Sequence, residues 1–460
     1  MTASPERLPS PALVSAAAPA ALQSLWRHRS YRLYVAGEAT SVAGASVSSV
    51  AVPYLAVVEL HASTAEVSLL VFLAQLPALL FALPAGALAD RHPKRPLMIG
   101  GDLVCLLVLL TLPLAAAYGR LNLGLLMVVA FVQAVAGVVH DAAAIAFLPT
   151  LLERSLLQRG NSRIGGLFSL SATAGSSLGA ALVSVLGAAR ALSADALSYA
   201  VSAWCTSRIR VAEPPPPRAL RARLRSEIAE GVRYVFADTT LTALTLTNAT
   251  MSFALGVLNT VWALYLLREL GFTATAFGLV MGTAALGSCA GALFAPRLSR
   301  WCGPGPMMLT ALALTPITQL PLLLASPGRS WQIAIGAALA VQLLCAAAAG
   351  TTQRSIRQMI TTPGLQGRMQ AVSTWLTGGS RPFAAPFAGA IGTLYGVRAA
   401  LIVGTVLLLV PLAVLALSPV RSLRALPVTA PTPAGESTAP ADVPAPAESR
   451  APHQQEGDKL

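Results

Sequence analysis

Gly86-Ala-Leu-Ala-Asp90-Arg91-His-Pro-Lys94-Arg95-Pro-Leu97 is a short ionic island between two long apolar runs, residues 66–88 and 97–117. A helix needs about 20 mostly apolar residues to cross a bilayer, so each run is long enough to span. The island is then a tight polar connection between two spanning helices. Working outward in both directions, further runs of this kind fall at 33–58, 123–147, 164–187, 190–207, 240–267, 274–296, 306–325, 331–352, 369–394 and 398–418. Twelve spans are therefore expected, numbered 1 to 12 along the chain.

Composition agrees. Hydrophobic residues make up 55% of the 460 positions, charged residues only 11%, and the mean hydropathy is +0.66. A soluble domain carries roughly a quarter of its residues as charges; here lipid must face much of the chain, and the fold class is an all-α membrane protein. The net charge of +13 does not point to nucleic acid, because no basic and aromatic face gathers on a soluble module. Its placement explains it instead. With the N-terminus inside, 26 Lys and Arg fall on the inner side and five (Arg120, Arg190, Arg268, Arg329 and Arg398) on the outer side, with Arg381 inside span 11. The positive-inside rule then puts both termini in the cytoplasm of a plasma (inner) membrane protein.

The expected layout is a cytoplasmic segment 1–30, a six-helix bundle 31–207, a cytoplasmic loop 208–238, a second bundle 239–418 and a disordered tail 419–460. In the loop, Glu213 followed by four prolines stops any helix. Leu220, Leu224, Ile228, Val232 and Val235 then recur at helical spacing among arginines, the pattern of a basic amphipathic helix lying on the inner face.

The two bundles look alike. An offset of 209 residues places Arg91 on Arg300, Met98 on Met307, Arg159 on Arg368, Gly187 on Gly396 and Leu192 on Leu401. Such a repeat implies duplication of a six-helix unit with both copies in the same orientation, an arrangement that supports alternating access around a central site.

The island itself, Gly then Asp-Arg then two basic residues between spans 2 and 3, closely resembles the loop signature of the major facilitator superfamily. Gly86 is expected to let two helices approach, Asp90 to cap or pair near a helix end, and Arg91, Lys94 and Arg95 to hold the loop inside. Pro93 stands where the family often has Gly, and Ser299 replaces Asp90 in the second copy. Leu25-Trp-Arg-His-Arg-Ser-Tyr-Arg-Leu33, Leu148-Pro149 before Asn161, Asp195-Ala-Leu-Ser-Tyr199 and Glu230-Gly-Val-Arg-Tyr234 resemble the exporter branch that includes enterobactin- and macrolide-efflux-type carriers. The resemblance covers about 25–420 and implies proton-coupled export, with a gate near Asp90 and a cavity lined by spans 1, 4, 7 and 10.

Polar stripes on those four spans fit a wet cavity: Glu38, Ser41 and Ser48; Gln133, His140 and Asp141; Asn248, Ser252 and Asn259; and Gln342. A charge at mid-bilayer costs about 2.5–3.5 kcal/mol on insertion scales, so it needs a reason to be there. Asp141, Glu38 and His140 are the proton-coupling candidates. Asp102 reads as an ion-pair partner of Arg91, Lys94 and Arg95, and Asp195 as support on span 6. Arg381 either holds a gate carboxylate or binds an anionic substrate. Gly175-Ser-Ser-Leu-Gly179 matches a serine-hydrolase elbow, but inside a spanning helix it reads as close helix packing.

The two lysines, Lys94 and Lys459, do not follow the glycines of a nucleotide-binding loop, and the five histidines include no HxxxH pair. No enzyme activity, cofactor or metal is expected. The partners expected are a small-molecule substrate, protons and the lipid bilayer, without nucleic acid; the oligomeric state is not legible. The leading expectation is a proton-coupled exporter of amphipathic molecules such as a drug, secondary metabolite or siderophore. An importer on the same fold and a non-transporting receptor or scaffold are the alternatives.

Overall fold

The computed structural model describes residues 28–152, 154–211, 213, 224–361 and 365–424. The first bundle consists of α1 (Arg29–Tyr54), α2 (Thr64–Arg91), α3 (Lys94–Ala117), α4 (Leu123–Leu151), α5 (Arg154–Leu186) and α6 (Ala188–Ser207). A short helix α7 (Leu224–Ala237) leads into α8 (Thr239–Leu264), α9 (Ala274–Cys302), α10 (Pro304–Ile317), α11 (Leu320–Leu324), α12 (Arg329–Ile360), α13 (Gln366–Tyr395), α14 (Val397–Leu407) and α15 (Leu409–Ala416). Among the described residues there is no strand, and ten helical stretches are long and apolar enough to cross a membrane. The other two expected spans coincide with α6 and α13, which are 20 and 30 residues long but interrupted by polar side chains. Span 9 is broken into α10 and α11 at Thr318-Gln319, between Pro316 and Pro321, and span 12 bends at Leu408 into α14 and α15.

The duplication is visible in the backbone. After α1 the chain tightens into a π-helical turn, Leu55–Glu59, where Leu60 N–H donates to Leu55 O at 2.9 Å and Ala62 N–H to Ala56 O at 2.9 Å. After α8 the same turn recurs at Tyr265–Glu269, with Leu270 N–H on Tyr265 O at 3.0 Å and Phe272 N–H on Leu266 O at 2.9 Å. Ser63 and Thr273 then cap α2 and α9 with their hydroxyls. Gly187 (φ 82°) and Gly396 (φ 90°) open α6 and α14, a left-handed backbone that glycine adopts at no steric cost. One place differs: Gly303 before α10 has φ 84°, whereas Pro93 before α3 has φ −56°.

The two halves meet closely at one end only. At the end far from the chain's entry and exit, a single apolar cluster takes in Val57, Val67 and Leu70 from the first half and Leu258, Val261 and Phe277 from the second. Small residues allow the close approach. A Cβ on Gly278 of α9 would collide with Ala180 of α5, and one on Gly389 of α13 with Ser68 of α2. Arg268 bridges the halves there, its Nη2 donating to Ala62 O at 2.8 Å and Val57 O at 3.3 Å. At the opposite end the cores are separate. Tyr31, Met98, Phe147 and Ile209 cluster within the first half, and Leu244, Met307, Ile356 and Leu415 within the second. The bundle is shut at the far end and parted at the end that carries the α2–α3 connection.

Within the first half, Gly175 and Gly179 press α5 onto α1. A Cβ on Gly175 would lie 2.3 Å from Ala43 O, and one on Gly179 2.8 Å from Val47 Cα. The elbow-like motif is therefore a packing surface. Gly287 and Gly291 do the same for α9 against Ala340 and Leu344 of α12.

Several expectations need amendment. Gly86 has nothing within 4 Å of where a Cβ would stand, so its missing side chain is not what lets a neighbouring helix approach. α7 does not merely lie beneath the bundle, because Val235 packs with Leu241, Met369 and Val372 against α8 and α13. The side chains of Asp90, Arg159 and Arg368, residues 1–27, Leu220 with the neighbouring loop arginines, and the tail from 425 onward lie outside the described residues.

Candidate transport site

Two polar sites are built from the predicted residues, one inside the first half and one open within the second.

In the first half, α1, α3, α4 and α6 enclose three ionisable groups. His140 Nε2 lies 3.4 Å from Asp102 Oδ1 and 3.7 Å from Glu38 Oε1, and the side chains of Asp102, His140 and Glu38 are only 1%, 9% and 12% exposed. Glu38 Oε1, Asp102 Oδ2 and His140 Nε2 are buried and make no hydrogen bond. Unpaired buried polar atoms are rare and ask for an explanation. On the other side of the ring, His140 Nδ1 stands 3.7 Å from Asp141 Oδ1, and Asp141 is 79% exposed. A carboxylate at mid-bilayer depth is costly in lipid, and Asp141 is the exposed member of the group. Three carboxylates, two buried and one exposed, thus stand within 3.4–3.7 Å of the one imidazole.

This places Asp102 differently from the sequence expectation. Among the described residues it makes no ion pair with Arg91, Lys94 or Arg95; it turns inward to His140 because Met98, Gly101, Asp102, Cys105, Leu109 and Leu112 form the buried stripe of α3. Gly101 permits the approach, since a Cβ there would lie 3.1 Å from His140 Cβ. The basic residues have other work. Arg95 donates through Nε to Thr206 O at 3.1 Å and through Nη2 to Ser207 O, pinning the end of α6, while the backbone N–H groups of Lys94 and Arg95 donate to the carboxylate of Glu213. Arg91 is exposed.

Two to three turns further along, Ser48 donates to Asp195 Oδ2 and Ser198 to Asp195 Oδ1 at 3.3 Å, and Gln133 Nε2 donates to Tyr199 Oη at 3.1 Å. Asp195 is fully buried. Ser48 and Gln133 thus belong to a tie between α1, α4 and α6 rather than to an open cavity, and Gly44 makes room for it, because a Cβ there would collide with Ser198. Ser41 is half-buried on α1 and is not part of the second-half cavity.

The second site is a cavity of about 320 Å³ walled by α8, α10, α12 and α13 with Val71 and Gln75 of α2. Asn248, Ser252, Asn259 and Arg381 all line it; Gln342 does not, being buried with its Oε1 accepting from Gln319 Nε2 at 2.9 Å. Arg381 Nε donates to Ser252 Oγ at 3.0 Å, and Asn248 Nδ2 to Thr377 Oγ1 at 2.9 Å. Gly256 lets α13 approach α8 at this level, because a Cβ there would meet Ala384 Cβ at 2.7 Å. α8 and α12, spans 7 and 10, supply part of this lining. Spans 9, 11 and 2 complete it, and spans 1 and 4 turn their polar faces into the buried cluster.

Long apolar helices closed together at one end and parted at the other around an internal cavity are the frame of a multi-pass membrane protein. Residues 20–440 match the family described as transmembrane secretion effectors, and the chain belongs to that family within the major facilitator superfamily. It is similar to macrolide efflux protein A of Streptococcus pyogenes, 24% identical over 240 residues, covering 52% of this chain and 59% of that protein. It is also 25% identical over 190 residues to macrolide efflux protein A of Enterococcus faecalis, covering 41% and 59%. The match thus spans about three fifths of the length of these relatives. Among solved structures, a bacterial homologue of the iron transporter ferroportin in its inward-facing state superposes with a TM-score of 0.67 at 14% identity, over 86% of this chain and 99% of that one. The outward-facing state of a bacterial ferroportin homologue gives 0.53 at 16% identity over 84% and 98%. A nucleoside transporter gives 0.66 at 10% identity over 86% and 98%.

Proposed function

We propose that this protein exports amphipathic small molecules from the cytoplasm across the plasma membrane by alternating access, driven by protons. The observation that carries the reading is the Glu38–His140–Asp102 cluster with Asp141 at its mouth. Adding or removing a proton changes the net charge of a site from which water is largely excluded, and an unbalanced charge is costly there. Protonation therefore biases how the first half packs against the second. Asp141 and His140 pass the proton between water and the buried acids; the cavity beside Arg381 holds the substrate.

Export is supported by the similarity to macrolide efflux proteins. The parted end carries Arg91, Lys94, Arg95, Arg354 and Arg357, which the positive-inside rule assigns to the cytoplasm. The arrangement then faces inward, in keeping with the higher score against an inward-facing transporter than against an outward-facing one. A membrane potential contributes about 2.3 kcal/mol per charge per 100 mV, sufficient to concentrate a substrate outside.

The test is reconstitution in liposomes containing a pH-sensitive dye, with an imposed proton gradient and a panel of amphipathic compounds. Substrate-triggered proton flux in wild type, lost in Glu38→Gln or Asp141→Asn, is the expected result. Flux that survives both substitutions would sink the coupling site, and no flux with any compound in folded protein would count against proton-coupled transport.

A further inference from the structure

Arg381 is the one charged residue lining the second-half cavity, and what surrounds it restricts what the cavity can hold. An arginine inside a spanning helix costs about 2.5–3.5 kcal/mol on insertion scales, a cost that a structural role would offset by pairing it with an acid. Among the described residues Arg381 makes no ion pair, and neither Asp nor Glu lines the cavity. The buried acids of α1, α3 and α6 face other groups, Glu38 and Asp102 standing beside His140 and Asp195 accepting from Ser48 and Ser198.

The hydrogen bond that Arg381 does make orients it. Nε donates to the neutral hydroxyl of Ser252 at 3.0 Å, and among the described residues the two terminal nitrogens of this cavity-lining guanidinium make no hydrogen bond. Paired N–H groups in one plane are the geometry that receives a carboxylate or phosphate through two parallel hydrogen bonds. Asn248 and Asn259 add neutral polar contacts on α8, while Met251, Met308 and Leu312 offer an apolar wall for the rest of a ligand. Arg381 is exposed to the cavity, so a ligand can reach it without rearrangement.

We infer that Arg381 is the recognition group for an anionic head, and that the molecules this cavity takes are amphipathic anions rather than the amphipathic cations that many drugs are. The inference rests on the reading of the cavity as the substrate site and narrows its substrate class. A cationic amine placed here would meet an uncompensated guanidinium, which works against it as selectively as the paired hydrogen bonds work for an anion.

Binding can be read without any gradient, so the outcome is separable from that of the transport assay. Purified protein in lipid nanodiscs would be titrated with three probes on one fluorescent core: dansyl-glycine (carboxylate), dansyl-glycinamide (neutral) and dansyl-ethylenediamine (cationic), with the signal of empty nanodiscs subtracted. Wild type is expected to bind the carboxylate about tenfold or more tighter than the other two, the effect of one charge-assisted pair. Arg381→Gln should abolish that preference and Arg381→Lys retain part of it, with thermal melts showing that each variant is folded. Equal or tighter binding of the amine by wild type, a preference that persists in Arg381→Gln, or no binding of any probe by folded protein would each overturn the inference. A positive binding result with no proton flux in liposomes would leave the anion site standing and count against the coupling mechanism alone.

Discussion

His140 and Asp102 face each other across 3.4 Å inside the first half, an imidazole and a carboxylate on different helices with no hydrogen bond closing the gap between them. A contact of this kind is sensitive to protonation and indifferent to shape. Asp102→Asn keeps the shape and removes the charge. Removing a charge beside a buried imidazole shifts the balance between two conformations by about 1–3 kcal/mol, roughly five- to 150-fold. Substrate-driven proton flux in liposomes should fall in that range, while the melting temperature in detergent changes little. A large drop in melting temperature with flux intact in the folded fraction would make Asp102 a structural group only.

Arg268 is the polar tie between the halves at the sealed end. Arg268→Ala removes two hydrogen bonds from a charged donor to the carbonyls of Ala62 and Val57, together on the order of 1.5–3 kcal/mol. The population should shift towards the state open at the far end. Cys345 lines the cavity, so maleimide labelling of Cys345 from the α2–α3 side, in a protein whose other cysteines are replaced, should slow about tenfold. Unchanged labelling would show that the apolar cluster alone holds the seal.

Gly175 and Gly179 leave no room for a larger side chain. Gly175→Leu puts atoms where Ala43 O stands and should cost about 1–3 kcal/mol or more through overpacking of α5 on α1. The same change at Gly86, which has open space around it, should leave the melting temperature unaltered; equal losses at both positions would contradict the packing argument.

Gln319 and Gln342 satisfy each other in a buried pair where α10 gives way to α11. Replacing either with Leu orphans its partner and should destabilise by about 1–3 kcal/mol, whereas the double replacement should recover much of the loss. A thermal-denaturation cycle over the four proteins checks this; strictly additive losses would mean that the pair is not coupled.

The fold was legible because lipid imposes a simple code: apolar runs of one length, separated by short polar breaks, with basic residues on one side. Even the duplication was visible, although the offset of 209 holds at Gly187 and Gly396 while the π-helical turns at Leu60 and Leu270 are 210 apart. The site was legible only in part. Residue type and helical period identify Glu38 and His140 as polar groups within apolar helices, but which neighbour a side chain meets depends on helix rotation and tilt. Asp102 was assigned to the loop arginines by proximity in sequence, although its buried stripe, continued back from Leu109 and Leu112, already pointed inward. Ser48 and Gln133 share a stripe with cavity-type residues yet tie helices together, a distinction that only the position of Asp195 and Tyr199 reveals. Thr377 and Gln75 line the cavity from spans 11 and 2, where a lone Thr or Gln carries no stripe that would mark it in the sequence.

The end pieces of the two halves differ in one respect that the shared architecture conceals. After α6, the carboxylate of Glu213 accepts from the amides of Lys94 and Arg95; after α15, 210 positions on, the backbone carbonyl of Leu423 accepts from Gly305 N–H at 2.9 Å. One latch is a side chain that a single substitution or a competing cation can unfasten, and the other is woven into the main chain. Evolution can therefore retune the first half's footing by point mutation while the second half's stays fixed, so any asymmetry in how the two bundles rock has a ready adjustment screw at Glu213.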